Sequence, residues 1–161
     1  LLNLKDIKAL VFDFDGVFTD NRVIISDTGE EFVICNRSDG IGLKMLKELK
    51  IPMKIISSEK NKVVSHRAKK LKLPVVHGVS NKLGELKLFS KHIKIDFKNF
   101  AYVGNDINDL DCMKAVGFPV AVSDAFKEII DISKLVLDKP GGKGAVRELC
   151  EKIRDAYING K

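Results

Sequence analysis

Residues 7–20 read Ile7-Lys8-Ala9-Leu10-Val11-Phe12-Asp13-Phe14-Asp15-Gly16-Val17-Phe18-Thr19-Asp20. The run from Ile7 to Phe12 is apolar at nearly every position rather than alternating, the pattern of a strand buried on both faces of a parallel sheet. Asp13 and Asp15 stand where that strand stops and the chain turns, and Gly16 follows at once. In an open α/β sheet, ligands bind at the carboxyl ends of the strands. Two carboxylates held there repel each other unless a cation is present. The stretch therefore predicts a divalent cation, Mg²⁺ by its preference for oxygen ligands, with chemistry beside it.

The chain has 161 residues, 45% hydrophobic and 31% charged, the balance of a globular domain long enough for a full core. With no repeat, low-complexity segment or linker, residues 1–161 read as one domain. No apolar run reaches the length of a membrane span. Leu1-Leu2-Asn3-Leu4-Lys5-Asp6 lacks a signal peptide's apolar core. The first residue is not Met, and the expectation is a trimmed chain or part of a longer polypeptide. Cys35, Cys112 and Cys150 are far apart and odd in number, which argues against a disulfide framework or a zinc site and for a reducing cytoplasm. The net charge of +6 invites nucleic acid, but the lysines are scattered through amphipathic segments without interleaved aromatics. Solvated helix faces and a small anionic substrate account for it, with neither nucleic acid nor membrane as a partner.

Strand-like runs alternate with helical ones. Strands are predicted at Lys8–Phe12, Met53–Ile56, Val75–His77, Phe100–Val103, Pro119–Val122 and Leu135–Leu137. Helices are predicted after Ser38-Asp39-Gly40 up to Pro52, then at Asn61–Leu71, Asn81–Ile93 with Asn81 as cap, Ile107–Val116, Phe126–Ile130 and Gly144–Ile158. Val23–Ser26 and Glu31–Ile34 flank Asp27-Thr28-Gly29-Glu30 as a β-hairpin. The βα alternation predicts an α/β fold: a doubly wound, Rossmann-like parallel sheet with helices on both faces, a small protruding hairpin over about residues 22–36, and no cap domain.

Four strand ends then bring polar residues to one edge: Asp13 and Asp15, Ser57, Lys82 through the loop before its helix, and Asn105, Asp106 and Asp109. Ser57 supplies a hydroxyl and Lys82 a point positive charge, together able to hold a phosphate beside the metal. A carboxylate nucleophile can take a phosphoryl group as an aspartyl-phosphate, and Asp15 can protonate the leaving alcohol and then activate water. Singly, each residue has a plainer reading. Asp13 and Asp15 fit a surface loop, Ser57-Ser58 a strand-to-helix turn, Lys82 a solvated helix lysine, and Asp106 and Asp109 helix caps. His66, His77 and His92 lie on unrelated elements and Met45, Met53 and Met113 read as core.

The stretches DFDGVFTD (13–20), IISS (55–58), NK (81–82) and GNDIND (104–109) resemble the haloacid dehalogenase-type phosphohydrolases. Along nearly the whole chain the likeness runs to a capless branch containing 3-deoxy-D-manno-octulosonate 8-phosphate phosphatases and nonulosonate 9-phosphate phosphatases. It extends to the segments Ser38–Gly42, Ala101–Gly104, Val116–Val122 and Gly141–Glu148. The same branch occurs fused behind some CMP-sialate synthetases. The resemblance implies Asp13 as nucleophile and Asp15 as general acid/base that also offers Mg²⁺ a backbone carbonyl, with Ser57 and Lys82 on the phosphoryl group. The family's third metal ligand is an Asp at the position held here by Asn105, so either Asn105 or the adjacent Asp106 completes the shell. Asp109 would orient Lys82 or the metal shell.

Glu59 stands where the resemblance places an Arg in octulosonate phosphatases and a Glu in nonulosonate ones, and Lys70 where the latter place a substrate-facing lysine. Both tilt the expected substrate to a nonulosonate 9-phosphate, with octulosonate 8-phosphate next. The family closes its site as a homotetramer through the hairpins, with a neighbour's Gly-rich tail over the site. Gly141, Gly142 and Gly144 permit such close approach, and Arg147 is expected to reach the substrate carboxylate. A non-catalytic or weakly catalytic tetramerisation domain of a CMP-sialate synthetase, with a fused or partnering cytidylyltransferase, is the alternative, and Asn105 favours it. A receiver-like domain storing an aspartyl-phosphate is a third reading, disfavoured because Asp15 sits two residues from Asp13, placed to hydrolyse the adduct.

Overall fold

The computed structural model describes residues 3–159, so the ends of the expected 1–161 domain (1–2 and 160–161) lie outside the described residues. In chain order the elements are β1 (Ala9–Phe12), β2 (Ile24–Ile25), β3 (Glu31–Phe32), α1 (Ser38–Glu48), β4 (Met53–Ile56), α2 (Val63–Leu71), β5 (Val75–Val76), α3 (Lys82–Ile93), β6 (Phe100–Gly104), α4 (Leu110–Ala115), β7 (Phe118–Ala121), α5 (Lys127–Ile132), β8 (Leu135–Val136) and α6 (Ala145–Asn159). β1 is buried at every position, as an unbroken apolar strand covered on both faces must be. It pairs in parallel with β4 and β6, and the six-stranded sheet runs β5-β4-β1-β6-β7-β8, all parallel. The chain winds outward from β1 to β5, then returns to β6. The winding therefore reverses between β1 and β6, and a crevice opens there at the carboxyl ends.

The element order follows the sequence reading, with local shifts that have physical causes. Helix α2 starts two residues late: Asn61 stands before the N-cap residue Lys62, in a turn where its side chain accepts the Val63 N–H at 3.0 Å. The stretch expected to be helical from Ile107 begins as a 3-10 turn, Ile107–Asp109, before α4 takes over. Asn81 caps α3 through its side-chain oxygen, which accepts the Gly84 N–H at 2.8 Å. β2 and β3 form the antiparallel hairpin, closed by Ser26 N–H to Glu30 O at 2.9 Å with Gly29 at φ 83°. Val23, Ile24, Ile25, Phe32 and Ile34 all stand exposed there. No helix among the described residues is long and apolar enough to cross a membrane.

Helices α3, α4 and α5 pack in sequence on one another, while α1 lies along α6. That contact is close because Gly42 has no side chain: a Cβ there would lie 3.0 Å from Arg147 Cα. The buried Asp39, in the first turn of α1, ties the two helices through its Oδ1, which accepts the Arg147 N–H at 3.1 Å. Its Oδ2 is buried without a partner. Burial pushes the Asp39 carboxyl up from 3.8 to about 6, against the Arg147 N–H and the charges of Arg67 and Lys139. A carboxyl raised in the fold stabilises it fully below the unfolded value of 3.8, and this stability is lost as pH rises through about 6. Asp39→Asn keeps an acceptor oxygen and cannot ionise. Its unfolding free energy relative to wild type should rise by up to about 3 kcal/mol between pH of about 4 and about 7. Urea midpoints at each pH measure this, and a pH-independent difference removes the assignment.

Candidate active site

Asp13 still belongs to the sheet through its backbone, its N–H donating to Val103 O at 2.9 Å. Its carboxylate is thereby fixed at the β1/β6 crevice. After it the chain coils tightly: the N–H of Phe18 donates to Phe14 O at 2.9 Å, and the Phe14 and Phe18 rings stack at 5.9 Å with Phe12 edge-on to Phe18 at 5.4 Å. This aromatic plug anchors the loop in the core. Gly16 is demanded twice: its φ is 78°, and a Cβ there would run into the Asn105 side-chain amide. The Thr19 hydroxyl accepts the Gly16 N–H at 3.1 Å and donates to Asp15 Oδ1 at 3.4 Å.

The buried centre of the site is one ammonium between two carboxylates. Lys82 Nζ donates to Asp13 Oδ1 and to Asp109 Oδ1, both at 2.8 Å. Asp109, fully buried, is further held by the Tyr102 hydroxyl at 2.9 Å and the Asn105 N–H at 3.1 Å. Burial, and then the charge of Asp109, push Asp13 up to about 7 against the pull of Lys82. Burial lowers Lys82, but the two carboxylates outweigh it and hold it above its ordinary value. Asp15 is less enclosed, and its carboxyl is raised by burial and by the charge of Glu59. A cation beside Asp13 would favour its charged form.

The residues present fit a hard cation. Asn105 Oδ1 is buried with no hydrogen-bond partner, an acceptor left free beside Asp13 and Asp15. The carboxylate of Asp106 is engaged, accepting the Ile107 N–H at 2.7 Å. No group of three His, Cys, Asp or Glu among the described residues is placed to hold a metal, so the set would be mixed, with carboxylate, amide and backbone oxygens of the kind Mg²⁺ accepts. Asp13, Asp15, Ser57, Asn105 and Asp106 line one small pocket of about 80 Å³. Ser57 is buried, and its Oγ accepts the Glu59 N–H at 3.1 Å.

Asn21, Ser58 and Asn108 line the same pocket and were not among the expected site residues. The Asn108 amide donates to Ser58 Oγ at 3.2 Å, and Asn108 lies inside the Gly104–Asp109 motif, the one signal that pointed to it. Tyr102 was also missed; a tyrosine in an otherwise apolar strand is the trace it leaves. Four expected residues do not line the pocket: Lys82 reaches it through its bond to Asp13 and Glu59 through its N–H on Ser57 Oγ, while Lys70 and Arg147 are turned elsewhere. Lys70 lines a separate hollow of about 220 Å³ with Arg37, Gly40, Arg67 and Leu71. The Arg147 guanidinium is committed to Glu151 one turn along α6, at 2.6 Å.

Within the chain, part of the Gly-rich segment packs on the site's own loop. Gly141 and Gly142 are buried against the chain's own loop. The Gly142 N–H donates to Val17 O at 3.0 Å, and a Cβ on Gly141 would meet Gly16 O. The segment braces its own Asp13–Asp20 loop from behind, because only bare backbone fits so close to bare backbone.

Comparison with known proteins agrees with this architecture. Residues 43–149 match the family profile described as haloacid dehalogenase-like hydrolase. The chain is 36% identical to the 3-deoxy-D-manno-octulosonate 8-phosphate phosphatases of Salmonella typhi and of Escherichia coli K12, over 92% of this chain and 80% of each of theirs. The crystal structure of the Moraxella catarrhalis phosphatase of that name, in complex with magnesium, phosphate and KDO, superposes with a TM-score of 0.90 at 33% identity, covering 98% of this chain and 95% of that one. A haloacid dehalogenase family hydrolase from Streptomyces avermitilis superposes at 0.90 with 44% identity, over 94% of this chain and 87% of that one. With its parallel sheet, its acidic crevice and only a hairpin where a cap would be inserted, the chain belongs to the haloacid dehalogenase-like hydrolases, as a phosphatase of the capless branch.

Proposed function

We propose that the chain is a Mg²⁺-dependent phosphomonoesterase acting on an ulosonate phosphate, with a nonulosonate 9-phosphate ahead of octulosonate 8-phosphate. The observation that carries the reaction is the Lys82 ammonium shared between Asp13 and Asp109 at 2.8 Å each, behind an Asp13 that itself lines a small pocket. The magnesium and phosphate bound in the Moraxella catarrhalis relative support the cofactor and the substrate class. Glu59 supports the nine-carbon preference: a carboxylate cannot pair with a substrate carboxylate but accepts sugar hydroxyls. Asp13, the Asp15 backbone carbonyl and Asn105 would hold the Mg²⁺, with Asp106 at the pocket rim.

When bound, the cation would offset phosphoryl charge at the pocket. The chain's own groups do the rest. An Asp13 oxygen attacks phosphorus; the bond from phosphorus to the sugar oxygen breaks, and Asp15 gives that oxygen its proton. Asp15, now ionised, takes a proton from water as the water oxygen attacks the aspartyl-phosphate; the bond to Asp13 breaks and inorganic phosphate leaves. Lys82 and the Ser57 hydroxyl stabilise the charge gathering on the phosphoryl oxygens. The exposed apolar hairpin face supports assembly of several copies of the chain. The absence of any disulfide among the free Cys35, Cys112 and Cys150 accords with a cytoplasmic setting.

Phosphate release should be measured across octulosonate 8-phosphate, nonulosonate 9-phosphates and simple sugar phosphates. Turnover should be highest on the nonulosonate ester, vanish with EDTA, return with Mg²⁺, and fall by at least about 10³-fold in Asp13→Asn. No release from any ester would leave the non-catalytic assembly domain standing in its place. Lys82→Met leaves two buried carboxylates unpaired and should cost about 3 kcal/mol of stability besides its activity. Adding Asp13→Asn on that background should recover part of the stability in a urea melt and none of the turnover.

A further inference from the structure

A cavity also opens at the edge of the sheet opposite Asp13. There the amino ends of β4 and β5 meet the last turns of α1 and α3 and the residue that caps the end of α2. They surround a cleft of about 440 Å³, within the range of about 300–1,000 Å³ typical of small-molecule sites. Its floor is apolar: Ile51, Met53, Leu73 and Phe89 line it, and all four are buried. Its rim is cationic. Lys47, Lys54 and Lys72 line it, and among the described residues no carboxylate does.

The three ammoniums are poorly paired. Lys47 Nζ donates to Leu71 O at 2.6 Å, at the end of α2 where a helix carries partial negative charge. Burial, and then the charge of Lys72, lower Lys47. Lys72 is the left-handed cap of α2 with φ 53°, and no carboxylate among the described residues pairs with it or with Lys47. Lys54 lies 5.5 Å from the centre of the Phe89 ring and 3.8 Å from Glu85 Oε2, a long pairing. Like charges turned to one hollow repel, and an anion among them removes the repulsion. A bare inorganic anion would lose its hydration against the apolar floor, so the charge must ride on an apolar body. A flat bilayer or protein face does not reach side chains buried at the bottom of a cleft. Lysines are point charges without arginine's planar fork, so a single carboxylate satisfies them. We propose that this cleft is a second binding site, for a small carboxylate with an aromatic or branched apolar body, the carboxylate between Lys47 and Lys72 and the body on Leu73 and Phe89. It shares no residue with the pocket at Asp13, although β4 and α3 run from one to the other.

4-Phenylbutyrate, 4-phenylbutan-1-ol and 4-phenylbutylamine share one body and differ in charge. Isothermal titration into the wild-type chain should give a Kd on the order of 10⁻⁴ M for the acid, about tenfold weaker binding for the alcohol and none for the amine. Lys72→Gln should weaken the acid about tenfold and leave the alcohol within about twofold. Ile93 is half-buried on the cleft wall; Ile93→Trp fills the space and should weaken acid and alcohol alike by at least about tenfold. Lys72 is exposed, so Lys72→Gln keeps the test standing where Ile93→Trp fails to fold. Saturating inorganic phosphate with Mg²⁺ should leave the Kd of the acid unchanged. Equal affinity for acid and alcohol, displacement of the acid by phosphate, or an unchanged Kd in Lys72→Gln overturns the inference. Absence of acid binding overturns it too, whether the cleft then proves to be covered by a second copy, read as self-association lost in Ile93→Trp by sedimentation velocity, or by a lipid surface, read as co-sedimentation with phosphatidylglycerol vesicles. Binding is measured directly, so the result stands apart from phosphatase turnover.

Discussion

Lys82 occupies the first residue of α3, the end of a helix where the aligned peptide dipoles already place positive charge and where a cation is least favoured. It is also buried. Both costs are offset by Asp13 and Asp109, which meet it from the end of β1 and from the turn after β6. Taking three charges out of water holds only when every lone pair and proton is used, and here Tyr102 and the Asn105 N–H occupy the remaining faces of Asp109. The cluster still carries one carboxylate more than it has cations. That excess is why Asp13 is driven up toward neutrality and why the free oxygen of Asn105 faces a place where positive charge would be stabilised. The groups are fixed before any ligand arrives, the condition under which electrostatic stabilisation is strongest.

This cluster needs the sheet. Asp13, Lys82 and Asp109 are far apart in sequence, and only the reversal of winding between β1 and β6 brings their carriers together. The loop that presents Asp15 is pressed from both sides, by Asn105 against Gly16 and by Gly141 against the Gly16 carbonyl. A side chain at either glycine would move the loop relative to Lys82. Rigidity therefore comes from backbone packed on backbone, with the aromatic plug of Phe12, Phe14 and Phe18 beneath it.

The sequence disclosed those parts whose signal is local. The unbroken apolar run before Asp13 told of a buried parallel strand, Asn81 of a helix start, and Asp27-Thr28-Gly29-Glu30 of a hairpin turn. The convergence of Asp13, Asp15, Ser57, Asn105 and Asp106 followed from topology once the strands were placed. Side chains whose direction depends on distant packing were not legible. Lys70 and Arg147 lie on helices with the right chemistry, yet one opens into a different hollow and the other closes on Glu151. Gly141 and Gly142 announced a close approach, expected over a neighbour's site, and within the chain they pack on its own loop, more than a hundred residues earlier in sequence. Asn61 reads in the sequence as the first residue of a helix; its bond to Glu31 exists only because the hairpin comes beside the start of α2.

Asp13 and Asp15 are alike in sequence and differ in surroundings, and the difference supports the separate roles proposed for them. Asp13 is held by a lysine, which keeps an oxygen of it in one place for attack. Asp15 meets no lysine directly; burial and the neighbouring charge of Glu59 raise it, while only the Thr19 hydroxyl opposes at hydrogen-bond range. In the proposed reaction a carboxyl that is less enclosed and not held by a lysine can turn to the leaving oxygen and then to water, so position, more than acidity, separates the two roles. Asn105 fits the same logic. An aspartate there would bring a third carboxylate to Asp13 and Asp109 around a single ammonium, raising Asp13 further. The amide keeps the oxygen that a hard cation accepts and omits the charge, exchanging some attraction for the cation against a nucleophile that ionises more readily.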